Sequence, residues 1–185
     1  MATNPTKVIT GTVRFSYVSV FEAKAMNEGE TPKYGLCILI PKSDTDTLKK
    51  INDAIAAAKE QGKASIADKN GRIPANLKTP LRDGDEERPD SPDFANCYFL
   101  NASSLRKPGL VDKDLNPILD RDEFYSGCYG RASINFYAYN YNNVSKGIAA
   151  GLNNLQKLKD GEPLAGGSSA DEDFGGENTF GDDLA

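Results

Sequence analysis

The 185-residue sequence contains no histidine and no tryptophan. Histidine is the side chain that most often acts as a general base near neutral pH, and it is also the commonest metal ligand in proteins. Its absence removes one participant from most hydrolase mechanisms and from most zinc sites. We therefore expect a protein that is not an enzyme and that holds no metal ion and no cofactor.

Cysteines are few, and long apolar runs are lacking. The three cysteines Cys37, Cys97 and Cys128 are widely separated and include no CxxC pair. An odd, sparse set of thiols without a secretion signal predicts buried, reduced cysteines in a cytoplasmic protein. No stretch approaches the length of a membrane span, so we expect no membrane association.

Basic residues are missing after Lys159. Residues 160–185 carry eight acids and no base, which leaves a body with a charge of about +3 and a tail with a charge of about −8. Glycine, serine and acidic residues cannot bury enough surface to order a chain. We therefore predict a nucleic-acid-binding domain over 1–159 and a disordered acidic tail over 160–185. Charge alone leaves open whether the tail binds a partner or only keeps the protein soluble.

The tail contains two aromatic residues, and isolated aromatics in an acidic tail are typical of anchors for a partner protein, although they can also simply be solvated. The predicted partner-binding residues of the tail are Asp171, Glu172, Asp173, Phe174, Phe180, Asp182 and Asp183.

Alternating apolar residues predict strands over 8–21 and 33–40. A helix should follow, with Ser43 as its N-cap and Gly62 at its end, because apolar residues recur there at helical spacing. Residues 80–94 are rich in turn formers and acids, which predicts an exposed loop.

The stretch 125–152 dominates the rest of the pattern. From Tyr129 to Tyr141 polar and apolar residues alternate, which predicts one long half-buried strand. The small apolar face consists of Ala132, Ile134, Phe136 and Ala138. The other face carries Tyr129, Arg131, Ser133, Asn135, Tyr137, Tyr139 and Tyr141. Tyrosines on a solvent face can stack on nucleic-acid bases, although they can also simply cover a sheet.

Glycines near the start of this strand suit the bends that close a barrel. Together with one helix after the second strand, they predict a mainly β fold. We expect a curved antiparallel barrel that resembles the OB-fold, followed by the disordered acidic tail.

An Asp-rich segment also needs interpretation. Asp112, Asp114, Asn116 and Glu123 match ligand positions of a calcium-binding loop, but Pro117 stands where that loop needs glycine. An Asp-rich turn is the simpler interpretation. A metal-dependent nuclease built on these acids lacks a basic partner and is disfavoured.

The sequence resembles a family of bacteriophage single-stranded-DNA-binding proteins with an OB-fold. The resemblance rests on VRFSYVSVFEAKA, LIPKSD, PLRDGD, FYSGCYGRASINFYAYN, GIAAGLNNLQKL and the Gly-rich acidic tail. It implies sequence-independent coating of single strands during phage replication or recombination. It also implies that the tail recruits replication proteins or competes with DNA for the groove.

On this interpretation the nucleic-acid-binding residues are Lys33, Tyr34, Arg106, Lys107, Tyr129, Arg131, Tyr137, Tyr139, Tyr141 and Lys146. The partners would be single-stranded DNA and phage or host replication proteins, and the protein would be a monomer or small homo-oligomer in the cytoplasm of an infected bacterium. The alternative is a phage structural module that docks a protein partner through its tail and binds no nucleic acid.

Overall fold

A computed structural model describes residues 4–25 and 28–164. The strands are β1 (Lys7–Ile9), β2 (Val13–Lys24), β3 (Lys33–Pro41), β4 (Arg82–Asp83), β5 (Cys97–Ser104), β6 (Gly109–Val111), β7 (Tyr129–Tyr141) and β8 (Ser145–Lys159). The helices are α1 (Thr45–Gln61), α2 (Lys63–Ile66) and α3 (Gly84–Glu87), with a 3₁₀ turn at Pro92–Phe94.

Five long strands close into a barrel. β2 pairs with β3, β3 with β5, β5 with β8, β8 with β7, and β7 returns to β2. The β5–β8 pairing is parallel and the other four are antiparallel. The barrel strands therefore follow the order first, second, third, fifth, fourth, which is the Greek-key order of the OB-fold. The predicted mainly β, OB-fold-like barrel is confirmed, as is the position of the helix after the second barrel strand.

The inner face of β7 lines the barrel core. Ala132, Ile134 and Phe136 are at most 2% exposed, while Tyr137 on the opposite face is 43% exposed. The small apolar face is therefore the buried one from Ala132 to Phe136, a choice that alternation alone leaves open. The core is completed at one end by Phe15, whose ring lies 5.2 Å from that of Phe124.

The strand predicted over 8–21 is two strands. The chain turns at Gly11, whose N–H donates to Thr47 Oγ1 at 2.9 Å, so the alternation does not continue from β1 into β2. β2 then has an irregularity between Ser16 and Ser19. Tyr17 adopts a positive φ of 49° there and is 59% exposed, while Phe15, two residues earlier, is fully buried.

Helix α1 packs its apolar stripe on the open end of the barrel. The predicted N-cap was wrong by one residue, since Asp44 accepts the capping hydrogen bond from the Thr47 N–H. Gly62 ends the helix directly against β7, where a Cβ would lie 2.2 Å from the Cβ of Ala138. No helix among the described residues is long and apolar enough to cross a membrane.

The segment predicted as an exposed loop, 80–94, is partly ordered against the barrel. Lys42 forms salt bridges with Asp83 and Asp85 at 2.8 Å each, which fastens α3 to the end of β3. Phe94 packs edge-on against Phe99, with ring centroids 5.0 Å apart. This small cluster also buries Cys37 and Leu39, and it thereby covers one half of the outer face of β3 and β5. The other half of that face is left uncovered.

We expect the thiols to be nearly inert in the folded protein. Burial raises the pKa of Cys37 to about 12, and burial likewise raises the pKa of Cys97 and of Cys128. Since only the thiolate reacts, a thiol reagent at pH 8 should label half-buried Cys97 slowly and leave the other two untouched. Mass spectrometry of the labelled chain would check this result, with guanidinium-unfolded protein as the control. Rapid labelling of Cys37 in the folded state would contradict it.

Candidate nucleic-acid interface

A row of glycine, serine and asparagine residues crosses the uncovered outer face of the barrel. Ser19 on β2 pairs with Gly35 on β3, and Gly35 pairs with Ser103 on β5. Ser103 pairs with Gly151 on β8, which in turn pairs with Asn135 on β7. Because directly paired residues point to the same face, the row forms a floor that no large side chain fills.

An open trough of about 370 Å³ lies over this floor. Its walls come from the start of β3, the end of β5, the turn after it, and the facing strands β7 and β8. The lining residues are Lys33, Ser103, Ser104, Leu105, Arg106, Asn135, Tyr137, Gly151, Leu152 and Asn153.

The aromatic wall of the trough is Tyr137. The residue lies opposite Ala149 on β8, and a Cβ placed on Gly151 would lie 3.5 Å from Cε1 of its ring. Tyr139 continues the same face and lies opposite Gly147. The partners of both rings are small, so the rings can lie across β8 with a face available to a ligand.

The cationic wall faces this tyrosine. Lys33 and Arg106 both line the trough and are exposed. The turn that carries Arg106 is fixed by its backbone N–H, which donates to Ser104 Oγ at 3.0 Å. Arg106 forms no ion pair with any carboxylate of the described residues, so its charge is available to an anionic ligand.

Three of the residues predicted from the sequence therefore meet in one trough: Lys33, Arg106 and Tyr137. Tyr139 and Tyr141 extend the face toward the β7–β8 turn, where Tyr141 is 71% exposed. Lys146, next to that turn, is half-buried and donates from Nζ to the Ala67 carbonyl at 3.3 Å.

The remaining predicted residues lie elsewhere. Tyr34 shares the inward face of β3 with Leu36 and does not line the trough. Lys107 lies with Nζ 5.7 Å from the ring centre of Phe21. Arg131 is exposed, and its Nε donates to the Thr10 carbonyl at 2.9 Å.

Tyr129 lies at the opposite end of β7 from the trough, eight residues or about 26 Å of strand from Tyr137. Its ring contacts two cations, the guanidinium of Arg14 at 5.2 Å and Nζ of Lys159 at 4.7 Å. These contacts make a second aromatic and basic cluster that is separate from the trough.

The chain continues past Lys159 along this second cluster. Arg14 Nη2 donates to the Glu162 carbonyl at 2.6 Å, and the Leu164 N–H donates to the Ser126 carbonyl at 2.8 Å. The first five residues of the segment 160–185 thus pack on the barrel, while the division into 1–159 and 160–185 stays a prediction. The predicted partner-binding residues of the tail, 171–183, lie outside the described residues.

The Asp-rich segment forms a turn. One carboxylate oxygen of Asp112 accepts from the backbone N–H groups of Asp114 and Asn116, each at 2.9 Å. These hydrogen bonds hold the pKa of Asp112 below its usual range. In the part of the chain that the structure describes, no group of three or more acids, cysteines or histidines is arranged to hold a metal ion.

Sequence reasoning missed several trough residues. Asn135 was placed on the correct face of β7 but was not assigned to the site, although its parity with Tyr137 could have indicated it. The trough also contains Ser103 from β5 and Gly151 and Asn153 from β8. The pairing of β5 with β8 produces no local pattern in the sequence from which these residues could be identified. The segment 148–158, whose apolar residues alone fit either a strand or a short helix, is part of β8.

The barrel order and the trough together define an OB-fold protein with an aromatic and basic groove. A family described as the single-stranded-DNA-binding protein of Enterobacter phage Enc34 matches residues 6–185, and the chain belongs to that family. Protein p50 of Acyrthosiphon pisum secondary endosymbiont phage 1 is 32% identical over 168 residues, which are 89% of each chain.

Solved structures share the same fold. The single-stranded DNA-binding protein of bacteriophage Enc34 in complex with ssDNA has a TM-score of 0.75 at 24% identity, and the match covers 86% of this chain and 90% of that chain. The single-stranded DNA-binding protein gp2.5 of bacteriophage T7 has a TM-score of 0.64 at 11% identity, over 88% and 97% of the two chains.

Proposed function

We propose that this protein binds single-stranded DNA without sequence preference and protects it during phage replication or recombination. The observation that carries the proposal is the trough itself, in which Tyr137 faces Lys33 and Arg106 across a floor of glycine, serine and asparagine. Its membership of the Enc34 family supports the same function. The protein acts by binding alone, in the cytoplasm of an infected bacterium, and catalyses no reaction.

The chemistry of the trough explains the absence of sequence preference. A base stacks on the exposed face of Tyr137, and every base offers a π-face of similar size. Phosphate groups meet Lys33 and Arg106, which adds affinity that depends on salt because bound counterions are released. Asn135 and Asn153 supply amide groups that can donate to or accept from any base edge.

The other predicted residues take secondary roles in this proposal. Tyr139, Tyr141 and Lys146 extend the path toward the β7–β8 turn, while Arg131, Lys107 and Tyr34 lie away from the trough and take no part in stacking. Tyr129 belongs to the separate cluster with Arg14 and Lys159. The acidic tail recruits replication proteins or competes with DNA for the trough.

Fluorescence anisotropy of labelled oligo-dT tests the proposal. The full chain should bind tightly at low salt, and the observed affinity should fall steeply as salt is raised, with similar affinities for oligo-dT and mixed sequences. A chain ending at Leu164, which keeps the packed residues 160–164, should bind more tightly if the tail competes. Absence of binding at low salt by both chains would overturn the proposal.

A further inference from the structure

The connection from α1 to β4, residues 62–81, lies against the β7–β8 turn. The Ile148 N–H donates to the Lys78 carbonyl at 2.8 Å, and Nδ2 of Asn140 donates to the Ser65 carbonyl at 2.9 Å. Lys78 also forms a parallel bridge with Gly147. The long connection is therefore fixed to the ends of the two strands that carry the aromatic face.

This connection continues the surface that begins in the trough. A Cβ placed on Gly147 would lie 2.8 Å from the Tyr139 hydroxyl and 3.0 Å from Lys78 Cβ. Because Gly147 has no side chain, Tyr139 and Lys78 can both lie close to it and therefore close to each other. Tyr137, Tyr139 and Lys78 follow one another along the outer face of the barrel, so a strand stacked on the tyrosines is led to Lys78.

The connection is also basic. Its charged residues are Lys63, Asp68, Lys69, Arg72 and Lys78, and all are exposed. The carboxylate of Asp68 is occupied by its own turn, since Oδ1 accepts from the N–H groups of Asn70 at 2.8 Å and Arg72 at 3.0 Å.

The four cations of the connection share one property with most lysines and arginines of the described residues. None of them forms an ion pair with a carboxylate of residues 4–25 or 28–164. The cations that do form such pairs are Lys42, Lys49, Arg82, Arg121 and Lys157. A basic surface beside Tyr137 and Tyr139 fits a single-stranded nucleic acid whose bases stack on these two rings and whose phosphates continue along the connection.

We propose that residues 62–81 form a second phosphate-binding surface, which takes the segment of single-stranded DNA that leaves the trough over Tyr137 and Tyr139. This inference rests on the proposed function and extends it. It assigns Lys69 and Lys78 to the sugar–phosphate backbone, and it predicts that the binding site is longer than the trough.

The test compares two lengths of oligo-dT on the full-length protein. One oligonucleotide has about 5 nucleotides, enough for the trough, and the other about 15, both within the range of OB-fold site sizes. The variant Lys69→Ala/Lys78→Ala should bind the long oligonucleotide about tenfold more weakly at low salt. Its slope of log affinity against log salt should be less steep by about 1.4, because about 0.7 is lost for each phosphate contact to a single strand.

The matched control is Lys50→Ala/Lys113→Ala, which removes the same charge from exposed lysines on α1 and in the Asp-rich turn. The control should leave both affinities close to wild type, and the test variant should leave the affinity for the short oligonucleotide unchanged.

Two results would overturn the inference: equal losses for test and control variants, or an equal loss for both lengths. Failure of the proposed function is distinguishable, since the wild-type protein would then bind neither oligonucleotide.

Discussion

Replacing Tyr137 by alanine should weaken single-stranded DNA binding about 5- to 150-fold without changing the melting temperature of the protein. Stacking of a base on an aromatic side chain contributes about 1–3 kcal/mol, which corresponds to that range of affinity. The ring is 43% exposed and lines the trough, so its removal takes away a contact surface and leaves the core intact. Anisotropy titration with oligo-dT and a thermal melt of the same sample measure both quantities.

Two further substitutions control this experiment. Tyr137→Phe keeps the ring and should retain most of the affinity. Phe136→Ala, one residue earlier, removes a ring that is 2% exposed and should lower the free energy of unfolding by about 3–5 kcal/mol. If Tyr137→Ala melts as early as Phe136→Ala, the tyrosine belongs to the packing of the barrel and the proposed platform is wrong.

The division of β7 into an apolar face and a tyrosine face was predictable, because it depends on the alternation within one segment of the chain. Side chains of a strand alternate between two faces, so the pattern separates the apolar set that includes Ile134 and Phe136 from the tyrosine set, but alternation alone does not decide which set lies inside. The same reasoning predicted the tyrosine face, one helix after the second strand, and a barrel closed with the help of glycines. These inferences need only the local period of the chain.

The floor of the trough was not predictable in this way. Gly35, Ser103 and Gly151 are separated by tens of residues, and they come together only through strand registers that no local pattern sets. The irregularity of β2 between Ser16 and Ser19 likewise cannot be seen in the alternation of the sequence, and it leaves Tyr17 exposed. The sequence of the basic connection 62–81 shows neither helical nor strand periodicity. The reason is that this segment follows the barrel surface and forms only one short helix.

Replacing Gly130 by alanine should lower the free energy of unfolding by about 3 kcal/mol or more, in the upper range for overpacked sites. A Cβ at this position would lie 1.9 Å from the backbone oxygen of Gln156 and 3.0 Å from the Phe15 ring. Backbone atoms of β8 cannot move aside without breaking the β7–β8 pairing that closes the barrel. Urea unfolding followed by circular dichroism measures the change.

Gly151→Ala is the informative comparison, because its Cβ would also lie close to a neighbour, 2.9 Å from Asn135 Oδ1. That atom is the end of a side chain on the outer face, and a rotation of the amide relieves the contact, so the expected loss of stability is less than about 1 kcal/mol. Equal destabilisation by both substitutions would mean that the trough floor is as constrained as the barrel seam. The expected difference instead separates two uses of glycine, since Gly130 allows the barrel to close and Gly151 keeps its outer surface open to a ligand.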